Sequence, residues 1–382
     1  MKLQKSIILY LVLVLVYFGQ GFFFGDESSI GKYLLLIIFG YNIYYFFECL
    51  QLKYKPLLLK AVTFFIFINL IYYFYGDAVI LNVSNDVSFG IMKSILLATT
   101  SIYPAYYWGR NGKALERPYL LLCIGYFITI YLSGLEYSAL KEHVDNMGYY
   151  YLTFIPFILL IKGKPFFKIL LCLVLNVLII SSAKRGAIIT CGAIDIIFFI
   201  YIFKTKELPQ NIFVKVLIVF LLSCTAFYAW HIFLSNEYVL RRFSQLEAGN
   251  SSGRNVIYMN ILIKYIYEYD WIQQIFGGGF CNAPTLSSRG VFAHNDWLEL
   301  LADLGVVGVL AYAYIIFGML KLIQQAKRQN TKYILIMITA IWFMKTMFSM
   351  SYLEENSFFL MMLLGYVATK LHSHGRKKIK VG

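Results

Sequence analysis

Residues 250–312 read NSSGRNVIYMNILIKYIYEYDWIQQIFGGGFCNAPTLSSRGVFAHNDWLELLADLGVVGVLAY. The stretch carries Ser252-Gly253-Arg254, then Phe276-Gly277-Gly278-Gly279-Phe280, then His294-Asn295-Asp296, and runs into an apolar helix that holds Gly305 and Gly308. On either side of it hydrophobic runs of about 18 to 20 residues recur, long enough as helices to cross a hydrocarbon core of roughly 30 Å. A polar segment between such runs is where water, substrate and chemistry can meet, because lipid penalises both unpaired backbone and charge. The hydrophobic runs therefore read as scaffold and this loop as the working part.

Composition points the same way. The 382 residues are 60% hydrophobic, 18% aromatic and only 14% charged, which excludes an ordinary soluble domain and predicts an all-α, polytopic integral membrane protein. The first run, 6–24, follows Lys2 and Lys5 like a signal peptide, but bulky Phe22, Phe23 and Phe24 stand where small cleavage-site residues belong, so it reads as a retained span. The six cysteines form no CxxC pair, and only Cys281 falls in the polar loop, which argues against an intrachain disulfide there.

The hydrophobic pattern predicts helices over about 6–24, 33–50, 57–75, 89–108, 118–134, 149–161, 165–182, 186–203, 211–234, 297–320, 332–350 and 356–370. That gives about twelve spans in a single membrane domain, 1–382, with one long extracytoplasmic loop at 235–296. Lys and Arg test this arrangement independently: 23 of the 34 fall on the N-terminal side, at the start, in the even-numbered connections and in the tail. Both termini then lie in the cytoplasm, and the net charge of +14 is largely a topology signal rather than a nucleic-acid surface. A helix from Arg254 to about Tyr269, with Val256, Met259, Ile263 and Ile266 on one stripe, lies along the membrane surface or packs in an external cap.

Arg185 is the first anomaly. Lys184 and Arg185 occupy a short outer connection at a helix start, against both the charge bias and the helix dipole. A phosphate would reverse both costs; snorkelling to lipid headgroups would also account for them. Arg254 repeats the arrangement, with Ser251 or Ser252 placed to cap the loop helix and Gly253 allowing close backbone approach, so Arg185 and Arg254 form a candidate clamp for pyrophosphate. Lys184, Ser252, Gly253, Gly278 and Asn295 are candidate substrate-binding neighbours. His294 precedes a helix start and suits a neutral base or a phosphate partner, whereas Asp296 and Glu299 read as a capping box. Gly305 and Gly308 read as a close helix contact, and Asp195 and Lys345, inside spans, should face the bundle interior. No metal-ligand spacing, phosphate loop or Asp-x-Asp pair appears, which disfavours ATP hydrolysis and a metal-bound nucleotide-sugar donor.

His294-Asn295, nine residues and then Gly305-x-x-Gly308, together with Ser252-Gly253-Arg254, the Gly277 to Phe280 turn and the Ser182-Ala183-Lys184-Arg185-Gly186 junction, resemble the O-antigen ligase and O-antigen polymerase superfamily, in its order. The sequence departs from that signature at Ala311, where the family carries Gly, Thr or Tyr. The resemblance implies a GT-C-like, metal-independent glycosyltransferase without a cofactor, acting on the outer face of the cytoplasmic membrane on an undecaprenyl-pyrophosphate-linked oligosaccharide. It implies that Arg185 and Arg254 stabilise the leaving pyrophosphate and that His294 orients or deprotonates the acceptor hydroxyl or binds phosphate.

Three functions follow as expectations. The leading one is a polymerase of lipid-linked repeat units for O-antigen, capsule or exopolysaccharide, working in the bilayer beside a flippase and a chain-length regulator, with no nucleic-acid partner. The second is a ligase moving finished polysaccharide onto a lipid A core of lipopolysaccharide or another terminal acceptor. The third, of another class, is a lipid-linked sugar transporter, which paired broken helices would support.

Overall fold

The computed structural model describes residues 2–24, 28–75, 85–138, 147–182, 184–205, isolated positions between 212 and 231, and 253–376. Among these residues the chain is helical and has no strand. Apolar side chains in long uninterrupted runs leave the backbone only one way to satisfy itself in lipid, and the helices follow: α1 (Lys2–Phe24), α2 (Ser29–Leu50), α3 (Leu57–Tyr75), α4 (Asn85–Thr100), α5 (Ile102–Arg110), α6 (Glu116–Ser138), α7 (Met147–Ile158), α8 (Pro165–Ser181) and α9 (Arg185–Lys204). After the polar segment come α10 (Arg254–Tyr267), α11 (Trp271–Phe276), α12 (Ala283–Leu286), α13 (Asp296–Gln325), α14 (Gln329–Phe348) and α15 (Ser357–Arg376). Six of these, α1, α2, α3, α9, α13 and α14, are long and apolar enough to cross a membrane, with α8 and α15 apolar but shorter. The chain is a multi-pass membrane protein. Most of the expected span at 211–234 and the first part of the expected loop, 235–252, lie outside the described residues, so the count of twelve rests on sequence.

The bundle packs α15 on α5, α13 on α3, α14 on α9, and α1 on α6. Where a single helix over 89–108 was expected, Ser101 divides α4 from α5, and its hydroxyl donates to Ala98 and to Phe358 of α15. The Lys/Arg-rich connections gather at one end. There Arg110 reaches the carbonyl of Tyr54, Lys370 pairs with Glu116 at 2.9 Å, and Gly318 of α13 lies against Leu58 of α3.

The helix that begins at Asp296 corrects the sequence reading twice. It is not a continuous span. Gly305 has φ 63° and ψ −156°, a conformation only glycine takes without strain, and the chain folds back there. Residues 16 apart on a straight helix would be separated by roughly 24 Å, yet Tyr312 Oη donates to Asp296 Oδ2 at 2.5 Å. Gly305 is thus a break as well as the expected close contact, a Cβ there meeting Ile275 O and Gly277 N at 2.5 Å, and residues 306–325 alone rise roughly 30 Å, enough to span. The break frees the carbonyls of Ala302 and Asp303, and the glycine turn takes them up: Gly278 N donates to Ala302 O at 2.9 Å, Gly279 N to Asp303 O at 3.0 Å, and Tyr269 Oη to Ala302 O at 3.0 Å.

The expected capping box is also corrected. Asn295 is the N-cap, its side-chain oxygen accepting from Trp297 N and Leu298 N. Asp296 and Glu299, fully buried, hold other segments: Asp296 accepts from Ser351 N at 3.0 Å, and Glu299 from the amides of Ala293 and His294. Asp303 adds a third anchor, accepting from Cys281 N and Ala283 N. The half-helix before the break thus organises three loops through three carboxylates on one face.

The loop helix α10 buries Ile257 and Ile261 against Ala283, Leu286 and Ala293. The expected stripe, Val256, Met259, Ile263 and Ile266, faces outward, as the membrane-surface alternative requires, while Ile257 and Ile261 pack the helix into the cap. Its N-cap is Gly253, in the left-handed conformation, rather than Ser251 or Ser252, which lie outside the described residues.

Candidate active site

At the end of the bundle opposite the Lys/Arg-rich connections, a cavity of about 580 Å³ opens between α1, α4, α6, α7 and the loops. Three residues singled out in the sequence meet in its wall: Lys184, Arg254 and His294. Each is carried there by a different local structure. Lys184 is the N-cap of α9, with its ammonium 6.0 Å from the centre of the Tyr149 ring. Arg254 opens α10, and its Nη1 donates to the carbonyl of Phe348 at 3.0 Å, at the C-terminus of α14. The start of α9 comes to the same place, because Gly186 lies under Tyr149 and Phe348 so closely that a Cβ would sit 2.2 Å from the Tyr149 hydroxyl.

His294 is held by its backbone rather than its ring. Its φ of 53° is left-handed, a costly conformation for a non-glycine residue. That turn aims the amides of Ala293 and His294 together at Glu299, while Asn295 turns inward to cap α13. The imidazole makes no hydrogen bond to protein among the described residues. Partial burial, then Arg254 and Lys184, lowers its pKa below the ordinary 6.5, and Glu354 pulls the other way. The ring is therefore neutral at pH 7 and able to accept a proton.

The floor is the 349–356 connection between α14 and α15, which the sequence reading did not single out. Lys345, completely buried, was expected to face the bundle interior, and it does so as an anchor: its Nζ lies 2.8 Å from Glu354 Oε2 and 2.6 Å from Asn356 Oδ1. Burial alone would raise the Glu354 carboxyl, but Lys345, Ser349 and Asn356 together hold it below the usual glutamate range. Glu355 pairs with Lys93 of α4 at 3.0 Å. The opposite wall is aromatic, with Tyr17 and Phe18 of α1, Tyr126 of α6 and Tyr150 of α7. Asp195 does not meet Lys345. It accepts instead from Asn176 at 2.8 Å, between α8 and α9.

Other candidates fall outside the cavity wall. Arg185 stands one residue past Lys184 as the first residue of α9, half-buried, and is not among the lining residues. Gly253 lies under Arg289, with a Cβ there meeting the Arg289 Nη1 at 2.5 Å. Gly278 is enclosed by Tyr269 and Asn282 and belongs to the seal on the α13 break. Ser252 lies outside the described residues. Among those residues no group of three or more His, Cys, Asp or Glu is placed to hold a metal ion.

A family model described as O-antigen ligase matches residues 169–313. The match supports the resemblance to the O-antigen ligase and O-antigen polymerase superfamily. The matched segment begins within α8, ends just after Tyr312, and contains Lys184, Arg185, Arg254, His294, the glycine turn and the α13 break. No curated protein matches the chain. The sequence pattern His294-Asn295…Gly305 acquires a structural meaning here: a strained histidine, a helix cap, and the break that folds the capped half-helix back on its own span.

Proposed function

We propose that this protein is a polymerase that joins polyprenyl-pyrophosphate-linked oligosaccharide repeat units on the outer face of the cytoplasmic membrane, without metal or cofactor. The observation that carries the reading is the convergence of Lys184, Arg254 and a neutral His294 on one cavity of a size to hold a sugar and a diphosphate. In the reaction an acceptor hydroxyl oxygen attacks the anomeric carbon of the donor sugar. The bond from that carbon to the phosphate oxygen breaks, and the polyprenyl pyrophosphate leaves with the electron pair. The hydroxyl proton passes to His294, whose pKa rises toward the working pH as the anionic donor binds beside it. Lys184 and Arg254 take the charge that develops on the bridging oxygen, with Arg185 supporting them from the start of α9. Asn295 is a positioning residue, since its cap fixes the turn from which the imidazole projects.

The charge distribution supports cytoplasmic termini, with the His294 cavity facing out and open to units delivered by a flippase and to a chain-length regulator. A ligase is the second reading, favoured by the description of the matching family. The break in α13 does not favour a transporter, because its freed carbonyls are sealed by the glycine turn rather than left along a passage.

The test uses purified protein in lipid with a synthetic polyprenyl-pyrophosphate repeat unit. A ladder of lengthening glycans is expected from the wild type and is lost in Arg254→Ala, Lys184→Ala and His294→Ala. Transfer only when a core-lipid acceptor is added would make the protein a ligase. A ladder surviving all three substitutions would remove the site.

A further inference from the structure

A second cavity, of about 940 Å³, lies between α1, α6 and the turn joining α7 to α8. Its sides are aliphatic, with Ile8, Val12 and Leu15 of α1 facing Leu121 of α6. Its mouth is polar and unbalanced. Glu116 is already paired with Lys370 at 2.9 Å. Arg117 and Lys162, both exposed, make no hydrogen bond or ion pair with protein among the described residues. Two cations at one mouth, with the local carboxylate engaged elsewhere, leave a site short of negative charge.

We propose that this groove holds one anionic glycerophospholipid, its phosphate between Arg117 and Lys162 and an acyl chain along α1. The length decides the occupant. From Gln4 at the mouth to Leu15 at the far wall the helix rises roughly 16 Å, close to half of a hydrocarbon core of roughly 30 Å. A free phosphate would need no aliphatic wall, and a polyprenyl chain would outrun a groove one leaflet deep. Basic pockets between membrane helices bind acidic headgroups on these terms.

The charged mouth of the groove is distant from the His294 cavity, and its inner end approaches that cavity. On α1, Gln4 at the mouth lies roughly 20 Å along the helix from Tyr17, while Leu15 at the far wall is close to it in sequence. α6 repeats the order, with Arg117 at the mouth, Leu122 further in and Tyr126 in the cavity. The lipid would therefore brace, from the opposite end, the two helices that carry the aromatic wall.

The experiment is native mass spectrometry of the intact protein released from nanodiscs of equal phosphatidylglycerol and phosphatidylcholine. The wild type should retain one phosphatidylglycerol per chain. Arg117→Gln with Lys162→Gln should lower that retention about tenfold or more, from the loss of two charge contacts, and leave phosphatidylcholine unchanged. Val12→Trp, which fills the groove with its charges intact, should lower phosphatidylglycerol retention as well. Retention unmoved by the double substitution would overturn the proposal. So would displacement of the lipid by excess inorganic phosphate, which would reduce the site to an anion site. Because the readout is lipid mass, the proposal stands or falls apart from the glycosyl-transfer reading.

Discussion

His294 concentrates what this protein asks of one residue. Its backbone is strained, its ring is open to a cavity, and its charge is opposed by Arg254 and Lys184. A base must be unprotonated to act, and cations beside it disfavour the imidazolium, so its pKa lies below 6.5. The kcat/KM of transfer, which reports the free protein, should therefore fall only on the acid side of pH 6.5, while the acid limb of kcat should lie at higher pH because the bound anion raises the His294 pKa. Removing the negative charge of Glu354 with Glu354→Gln should move that acid limb to lower pH. Arg254→Ala should move it up in whatever activity remains. Limbs that stay in place in both variants would rule out His294 as the base. Lys345 supplies a prediction about stability. Lys345→Met strips the partly buried Glu354 of its cation and should cost up to about 3 kcal/mol in unfolding measurements, the low end for a buried pair because Glu354 is 22% exposed. Lys345→Met with Glu354→Gln should cost less, because no uncompensated charge is left. His294 and Arg254 were legible because their residue types and spacing carry chemistry. Glu354 and Glu355 were not, since two acids in a short connection look like ordinary solvated charge until Lys345 and Lys93 are seen beside them.

At the scale of elements, α13 decides the geometry of the site. Hydropathy found the span, but hydropathy averages over a window and cannot see one residue of non-helical backbone. Gly305 is a packing glycine, as its residue type suggests, since a Cβ there would lie 2.5 Å from Gly277 N and from Ile275 O. Its φ and ψ, which no sequence pattern reveals, make it a break as well. Gly305→Ala should therefore lower stability by more than about 3 kcal/mol, from strain and collision together. Gly112→Ala, at φ 75° with nothing within 4 Å of the new Cβ, should cost only about 1 kcal/mol. Thermal unfolding in one detergent compares the two, and equal losses would show that the break does not depend on the seal. The loop helix was legible on one side only. Periodicity reveals the outward apolar stripe, but Ile257 and Ile261 join the core through what α12 and α13 present to them.

For the whole molecule, charge counting anticipated which connections share an end, and the contacts of Arg110 with Tyr54 and of Lys370 with Glu116 bring them together there. The sidedness is measurable. In a background without exposed Cys224, Arg289→Cys should react with an impermeant maleimide on intact cells, and Arg328→Cys only after permeabilisation. The reverse pattern would invert the topology and place the His294 cavity in the cytoplasm. The wall of that cavity has one more consequence. Lys184, Arg254 and His294 all lie within 169–313, whereas Tyr17, Lys93, Tyr126, Tyr150 and Glu354 all lie outside it. The part of the chain that carries the family match thus builds one side of the chamber, and the part without a match builds the other. Exchanging 169–313 with a relative of different glycan preference should leave the choice of sugar with the recipient's remaining helices, readable as the composition of the polymer that the hybrid makes.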